Sequence, residues 1–304
     1  MKRPALVLLL LALAAPASAS ALPSRYILPG PTVFPEGVAT QPGTDNFFVS
    51  STGNGAIYRG KLGRANTKVF LAPGLNGRAF ATGLKATRDR LVVAGSVTGY
   101  IFIYDLPSGK LVRRLSTGSG GLVNDVTLTP SGDAYFTDSQ RGLLFRVPAR
   151  LVRKRAATTK ALLPFARLAT NPAVGTYANG IVSAGNRYLL VVSLGTGRLV
   201  RVDVKTRAVR EVDLGGNLIT IGDGMIRSGR TLYAVNTGSQ VAKYTLSRNW
   251  LKATLRRQVK APSFLFPTTV AIAGKRMLVV NSQFDKRNGG TPVLPFTVSA
   301  IPLP

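Results

Sequence analysis

Glu36, Asn124, Asn179 and Asp223 carry the clearest chemistry in this sequence. Two carboxylates and two carboxamides that converge would form an all-oxygen site. That donor set suits a hard divalent cation, Ca2+ first, then Mg2+ or Mn2+. Glu36 and Asp223 would balance its charge, and the two asparagines would add neutral carbonyl oxygens. The alternative is that these residues cap strand ends and hydrogen-bond one another, as Asn and Asp often do. The composition removes other chemistry. The 304 residues include no histidine and no cysteine, which excludes His bases, Ser-His and Cys-His pairs, thiolate or His metal sites, and disulfides.

Convergence follows from a repeat. The stretch from Gly121 to Ser139 reads as a short strand, a Pro130-Ser131-Gly132-Asp133 turn, and a second strand rich in β-branched and aromatic residues. The same design recurs five more times. Its lead residues are Glu36, Thr82, Asn124, Asn179, Asp223 and Thr268, spaced by 46, 42, 55, 44 and 45 residues. The second strands are expected at 46–50, 90–94, 134–138, 188–193, 231–236 and 277–281. Two residues after each lead comes an apolar one: Val38, Leu84, Val126, Ile181, Met225 and Val270. Glycine directly follows the lead in four repeats, which permits close backbone approach.

Six units of three or four short strands predict an all-β fold, a six-bladed β-propeller over residues 22–304. No unit can bury its own apolar face, and a closed ring does so. Closure predicts that Arg25–Leu28 and the segment 295–300 share the last blade. The first strand of each blade would line a channel, so the six lead residues would face one another. A monomer is expected.

Residues 1–21 read as a cleaved signal peptide: Lys2 and Arg3, an apolar run too short to span a bilayer, then small-residue cleavage sites. The mature protein is expected to be secreted, periplasmic or cell-wall associated, with no transmembrane segment. A formal charge of +28 favours anionic partners. Export makes nucleic acid an unsuitable partner and an anionic cell-wall polymer a better one. The basic clusters are Arg150, Arg153, Lys154, Arg155 and Lys160, and Arg248, Lys252, Arg256 and Lys260. The four-residue spacing of the second predicts one short helix.

Asn124-Asp125, Pro130-Ser131-Gly132 and Tyr135-Phe136-Thr137-Asp138-Ser139, with Glu36, Ala178-Asn179-Gly180 and Gly222-Asp223-Gly224, resemble the SMP-30/gluconolactonase-like calcium-dependent propellers. The resemblance implies that Glu36, Asn179 and Asp223 hold the metal, that Asp223 acts as base, and that Asn124 lies beside metal and substrate. The implied reaction is hydrolysis of a lactone or ester. One feature departs from the sugar-lactone members, which place an arginine where Leu122 stands. The residue two before the lead is apolar in every repeat: Phe34, Phe80, Leu122, Tyr177, Ile221 and Phe266. These six are expected to form an apolar collar above the metal, suited to a hydrophobic ester or lactone, with Phe34, Phe80, Leu122, Tyr177, Phe266 and Thr268 binding the substrate. Ordinary packing between blades is the alternative reading of the collar. The alternative function is a non-catalytic propeller with a structural metal, binding an anionic polymer or protein through its basic surface.

Overall fold

The computed structural model describes residues 22–153, 161–236 and 240–304. The predicted targeting segment and three residues of the first basic cluster, Lys154, Arg155 and Lys160, lie outside the described residues. Among those described, no helix is long and apolar enough to cross a membrane.

The fold is all-β, and its strands follow one another as antiparallel meanders. The stretch around Asn124 shows why. Val123–Leu128 pairs with Ala134–Asp138, with Val126 opposite Phe136 and Leu128 opposite Ala134. The reversal between them needs a left-handed residue, and Gly132 takes it at φ 91°. Thr129 closes the turn by donating its backbone N–H to Asp133 O at 2.9 Å. Leu143–Val147 and Pro164–Arg167 complete that sheet. The second strands Arg90–Ala94, Ala134–Asp138, Tyr188–Ser193 and Thr231–Asn236 run over the residues expected from the repeat.

Four sheets contain four strands each, and one contains eight. The eight-stranded sheet has a narrow waist, because its halves meet at a single parallel bridge, Ile27 to Asn66. One half runs from Pro35–Thr40 out to Arg64–Leu71. The other begins at Pro267–Ala273 and ends on the N-terminal strand Arg25–Leu28, which pairs with Phe296–Pro302. Tyr26 lies opposite Val298 and Leu28 opposite Phe296, so the two ends of the chain close one four-stranded unit.

The apolar core sits between units. One cluster joins Val92, Ile101 and Ile103 to Val126, Phe136 and Phe145 of the next sheet. Another joins Val38, Phe47 and Val49 of the first unit to Leu278, Val280 and Val298 of the last. The remaining clusters bridge the other consecutive pairs. Each sheet therefore buries both faces against its neighbours, and fully burying each such side chain contributes about 1.5–3 kcal/mol.

The predicted helix across Arg248, Lys252, Arg256 and Lys260 is not formed. Ala253–Val259 is a strand paired with Gln240–Leu246, preceded by a turn in which Ser247 Oγ and Asn249 Oδ1 accept the Leu251 N–H. Sheet pairing outweighs a four-residue charge spacing that has no apolar helical stripe beneath it.

Candidate functional site

Five of the six lead residues stand second in the first strand of their unit, where a local irregularity aims them, and Thr82 lies two residues before Leu84–Ala86. In five units two residues oppose one across the strand pair. Glu36 and Gly37 stand against Ser50, Asn124 and Asp125 against Thr137, Asn179 and Gly180 against Val192. Such a bulge bends the strand and re-aims its side chains. Three residues two places earlier are left-handed: Phe34 at φ 39°, Ile221 at φ 50° and Phe266 at φ 55°. Bulky residues rarely adopt that conformation, and its cost concentrates at functional sites.

The glycines after the leads let neighbouring first strands touch. A Cβ on Gly37 would lie 2.6 Å from Thr82 O, and one on Gly180 would lie 2.1 Å from Asp223 O. On Gly83 it would meet Asp125 Cα at 2.6 Å, and on Gly224 Thr269 Cα at 2.8 Å. Hydroxyls add to these contacts. Thr82 Oγ1 donates to Val123 O at 2.8 Å, and Thr268 Oγ1 donates to Glu36 O at 3.0 Å. Where Asp125 replaces glycine, its Oδ2 accepts the Ile181 N–H at 3.1 Å and ties the third unit to the fourth.

A cavity of about 490 Å³ opens at this end of the strands. Glu36, Thr82, Asn124, Asn179 and Asp223 line it, with Phe80, Leu122, Ile221 and Phe266 of the predicted collar. Three predicted residues are placed differently. Thr268 is fully buried, its hydroxyl engaged by the first unit, and it does not line the cavity. Phe34 is also outside the lining and packs its ring 5.0 Å from that of Phe296. Tyr177 stands exposed over Gly195, where a Cβ would be 3.0 Å from its ring. Lead and collar residues reach this one cavity without the simple alternation of a regular strand. Bulges and left-handed residues break the pleat, and the collar residues precede the strands.

The electrostatics of the floor are unusual. Glu36 and Asn179 are 4% and 3% exposed. Glu36 Oε2 and Asn179 Oδ1 are buried with no hydrogen-bond partner. A buried polar atom left unpaired costs about 1–3 kcal/mol. Burial pushes the Glu36 carboxyl well above its usual range, Asp223 and Asp125 push it further, and Lys85 opposes them. Burial also raises Asp125, against the pull of Lys85 and two backbone N–H groups. Among the described residues no group of three acidic side chains gathers as metal ligands. A cation here would depend on amide oxygens beside Glu36 and Asp223. The two unpaired oxygens fit that need: both are hard donors lacking a partner.

The motif after Asn124 positions it. Asn124 Nδ2 donates to Ser139 Oγ at 2.8 Å, and Ser139 donates onward to Ala178 O at 2.6 Å. Asp138 accepts the Leu122 N–H at 3.2 Å and pairs with Arg141 at 2.6 Å. The second strand thus fixes both the lead residue and the collar residue of its unit.

The sequence reading missed part of the wall. Thr52, Ser96, Val97 and Leu194 come from loops after the second strands, and Phe284 and Arg287 from the loop after Arg276–Asn281. Those loops lie outside the aligned strands, so the repeat carries no signal for them.

No protein-family model matches the sequence, and no curated protein is similar to it in sequence. Solved structures are similar in fold. The Malassezia sympodialis allergen Mala s 1 is 16% identical, covers 92% of this chain and 96% of its own, and superposes at TM-score 0.69. Regucalcin from Agrobacterium tumefaciens, described as a calcium-binding protein, is 16% identical over 91% of this chain and 92% of its own, at TM-score 0.63. Virginiamycin B lyase from Staphylococcus aureus is 13% identical over 93% of this chain and 99% of its own, at TM-score 0.59. What they share with this chain is the all-β fold of a propeller.

Proposed function

We propose that this protein is an exported six-bladed propeller of the SMP-30/gluconolactonase type that hydrolyses an apolar ester or lactone with a divalent cation in its channel. The single bridge at the waist of the eight-stranded sheet supports reading that sheet as two four-stranded blades, and the count as six. The observation that carries the reading is the pair of unpaired buried oxygens, Glu36 Oε2 and Asn179 Oδ1, on the floor of a largely apolar cavity that Asp223 also lines. Calcium binding in a regucalcin of the same fold supports the choice of Ca2+.

Glu36, Asn179 and Asp223 would hold the cation. When bound, it would polarise the substrate carbonyl and offset the charge that builds on its oxygen. Asp223 takes a proton from the attacking water as the water oxygen bonds to the carbonyl carbon. The bond to the leaving alkoxide then breaks, and the alkoxide recovers the proton from Asp223. Asn124, held by Ser139, orients the substrate. Phe80, Leu122, Ile221 and Phe266 exclude bulk water. The test is a panel of aryl esters and lactones assayed with calcium and with chelator. Chelator-sensitive turnover is expected, and equal background rates under both conditions would refute the reading.

A second reading has its own observation. The turns at the far end of the first strands carry exposed Arg88, Arg187, Arg230 and Lys275. Arg150 and Lys205 lie in connections that antiparallel pairing brings to the same end. That end of the channel is lined by Lys85 and Arg227. A polyanion from the cell wall would meet this face while the cavity stayed open. Binding to soluble polyglutamate is expected to weaken about tenfold or more between 50 and 200 mM salt, by analogy with polyanion counterion release. Salt-insensitive binding, or none, would remove this partner.

A further inference from the structure

Arg287 is an unmatched cation beside the cavity. It is the one Lys or Arg among the described residues that line it. Its guanidinium carbon lies 5.8 Å from the centre of the Phe34 ring and 5.7 Å from that of Phe284. One terminal nitrogen donates to Thr52 Oγ1 at 3.1 Å and the other to Thr52 O at 2.7 Å. These contacts fix the plane of the group. Among the described residues it has no acidic partner, unlike Arg141 with Asp138, Arg146 with Asp133 and Arg198 with Glu211. A guanidinium has five N–H donors. Two are used here, and three remain for a ligand.

We propose that Arg287 is the anion anchor of the cavity, so that the ligand is an apolar molecule carrying a carboxylate, sulfonate or phosphate group. This rests on the reading of the cavity as a substrate site and names the class of substrate. The planar fork of arginine suits a two-oxygen anion, and partial burial against two rings strengthens the attraction. Orientation follows from charge. Glu36 and Asp223 would be balanced by the cation they hold, which leaves Arg287 the one uncompensated charge among the described lining residues, so the head sits by Arg287 and the apolar, reacting part points toward Asn124 and Asp223. Phe80, Leu122, Leu194 and Ile221 supply contact for the apolar body. The arginine that sugar-lactone relatives carry at the Leu122 position is thereby replaced in function by one from the last unit, across an apolar surface.

The contacts of Arg287 with Thr52 also tie the last unit to the first, and a purely structural clamp must be told apart from an anchor. Two fluorescent probes of nearly the same shape do this: anilinonaphthalene sulfonate, and the uncharged phenylnaphthylamine. Each is titrated into the whole mature protein, with calcium and with chelator. Wild type is expected to bind one sulfonate probe per chain in the cavity, displaceable by the neutral probe. Leu122→Trp, which fills the cavity, should abolish both signals. Arg287→Gln should weaken the sulfonate about tenfold, the scale of one charged hydrogen-bonded contact, and leave the neutral probe unchanged. Arg287→Lys should recover part of the loss. Equal weakening of both probes, an unchanged sulfonate affinity, or no sulfonate bound in wild type would overturn the proposal. A sulfonate preference that Arg287→Gln removes, in a protein with no chelator-sensitive turnover, fails the hydrolase reading alone; chelator-sensitive turnover with no sulfonate preference fails the anchor alone.

Discussion

Asparagine in place of Asp223 is expected to lower ester or lactone hydrolysis by about 10²–10⁴, the usual contribution of a positioned acid–base group. The change preserves the shape of the side chain and removes its ability to take a proton. The contact that Asp223 makes with the fourth unit runs through its backbone oxygen, beneath Gly180, and survives the substitution. In chelator, where no calcium contributes, stability should therefore stay near that of chelated wild type. Turnover with calcium and a urea midpoint in chelator, on the same preparation, check both halves. Wild-type turnover in Asp223→Asn would remove the carboxylate from the reaction and overturn the role assigned to Asp223.

A large loss of stability is expected from Gly180→Ala. An added Cβ would sit 2.1 Å from Asp223 O, against backbone that cannot swing aside. Overpacking of this kind costs about 3 kcal/mol where the neighbour is rigid. It also pushes two lead residues apart, so the variant should bind calcium less well in proportion. Gly63→Ala is the control: a Cβ there meets nothing within 4 Å, and the position is not left-handed. It should change stability by no more than about 0.5 kcal/mol. Equal midpoints for the two variants would show that the first strands are not packed backbone to backbone.

The periodic parts of the molecule were legible in the sequence. The alternation at 90–94 and 188–193, the turns after them, and the spacing of the leads gave the strands and the ring, because each blade solves the same packing problem. Pairing of Arg25–Leu28 with Phe296–Pro302 was legible too, since an all-β ring must close. The departures lie where local rules give way to contacts between units. No propensity at Phe34, Ile221 or Phe266 announces a left-handed backbone; it arises as the chain turns into each bulge. Thr268 looked like a ring member from its register, yet the seam between last and first units takes its hydroxyl. Arg287 had no counterpart in the repeat, and its value depends on Thr52, 235 residues away in the chain. The charges at Arg248 to Lys260 misled because four-residue spacing fits a helix and an edge strand alike when no apolar stripe decides.

The central claim is that Glu36, Asn179 and Asp223 form one oxygen site for a divalent cation. The most direct measurement is a thermal melt of the chelated mature protein with calcium added back, run beside Glu36→Gln and Asp223→Asn. Ligand binding to the folded state alone stabilises it by about 2.7 kcal/mol at a hundredfold excess over Kd. The account predicts a rise of that scale in wild type, lost in both variants, with magnesium giving less. No rise in wild type, or a rise that both variants keep, would contradict it.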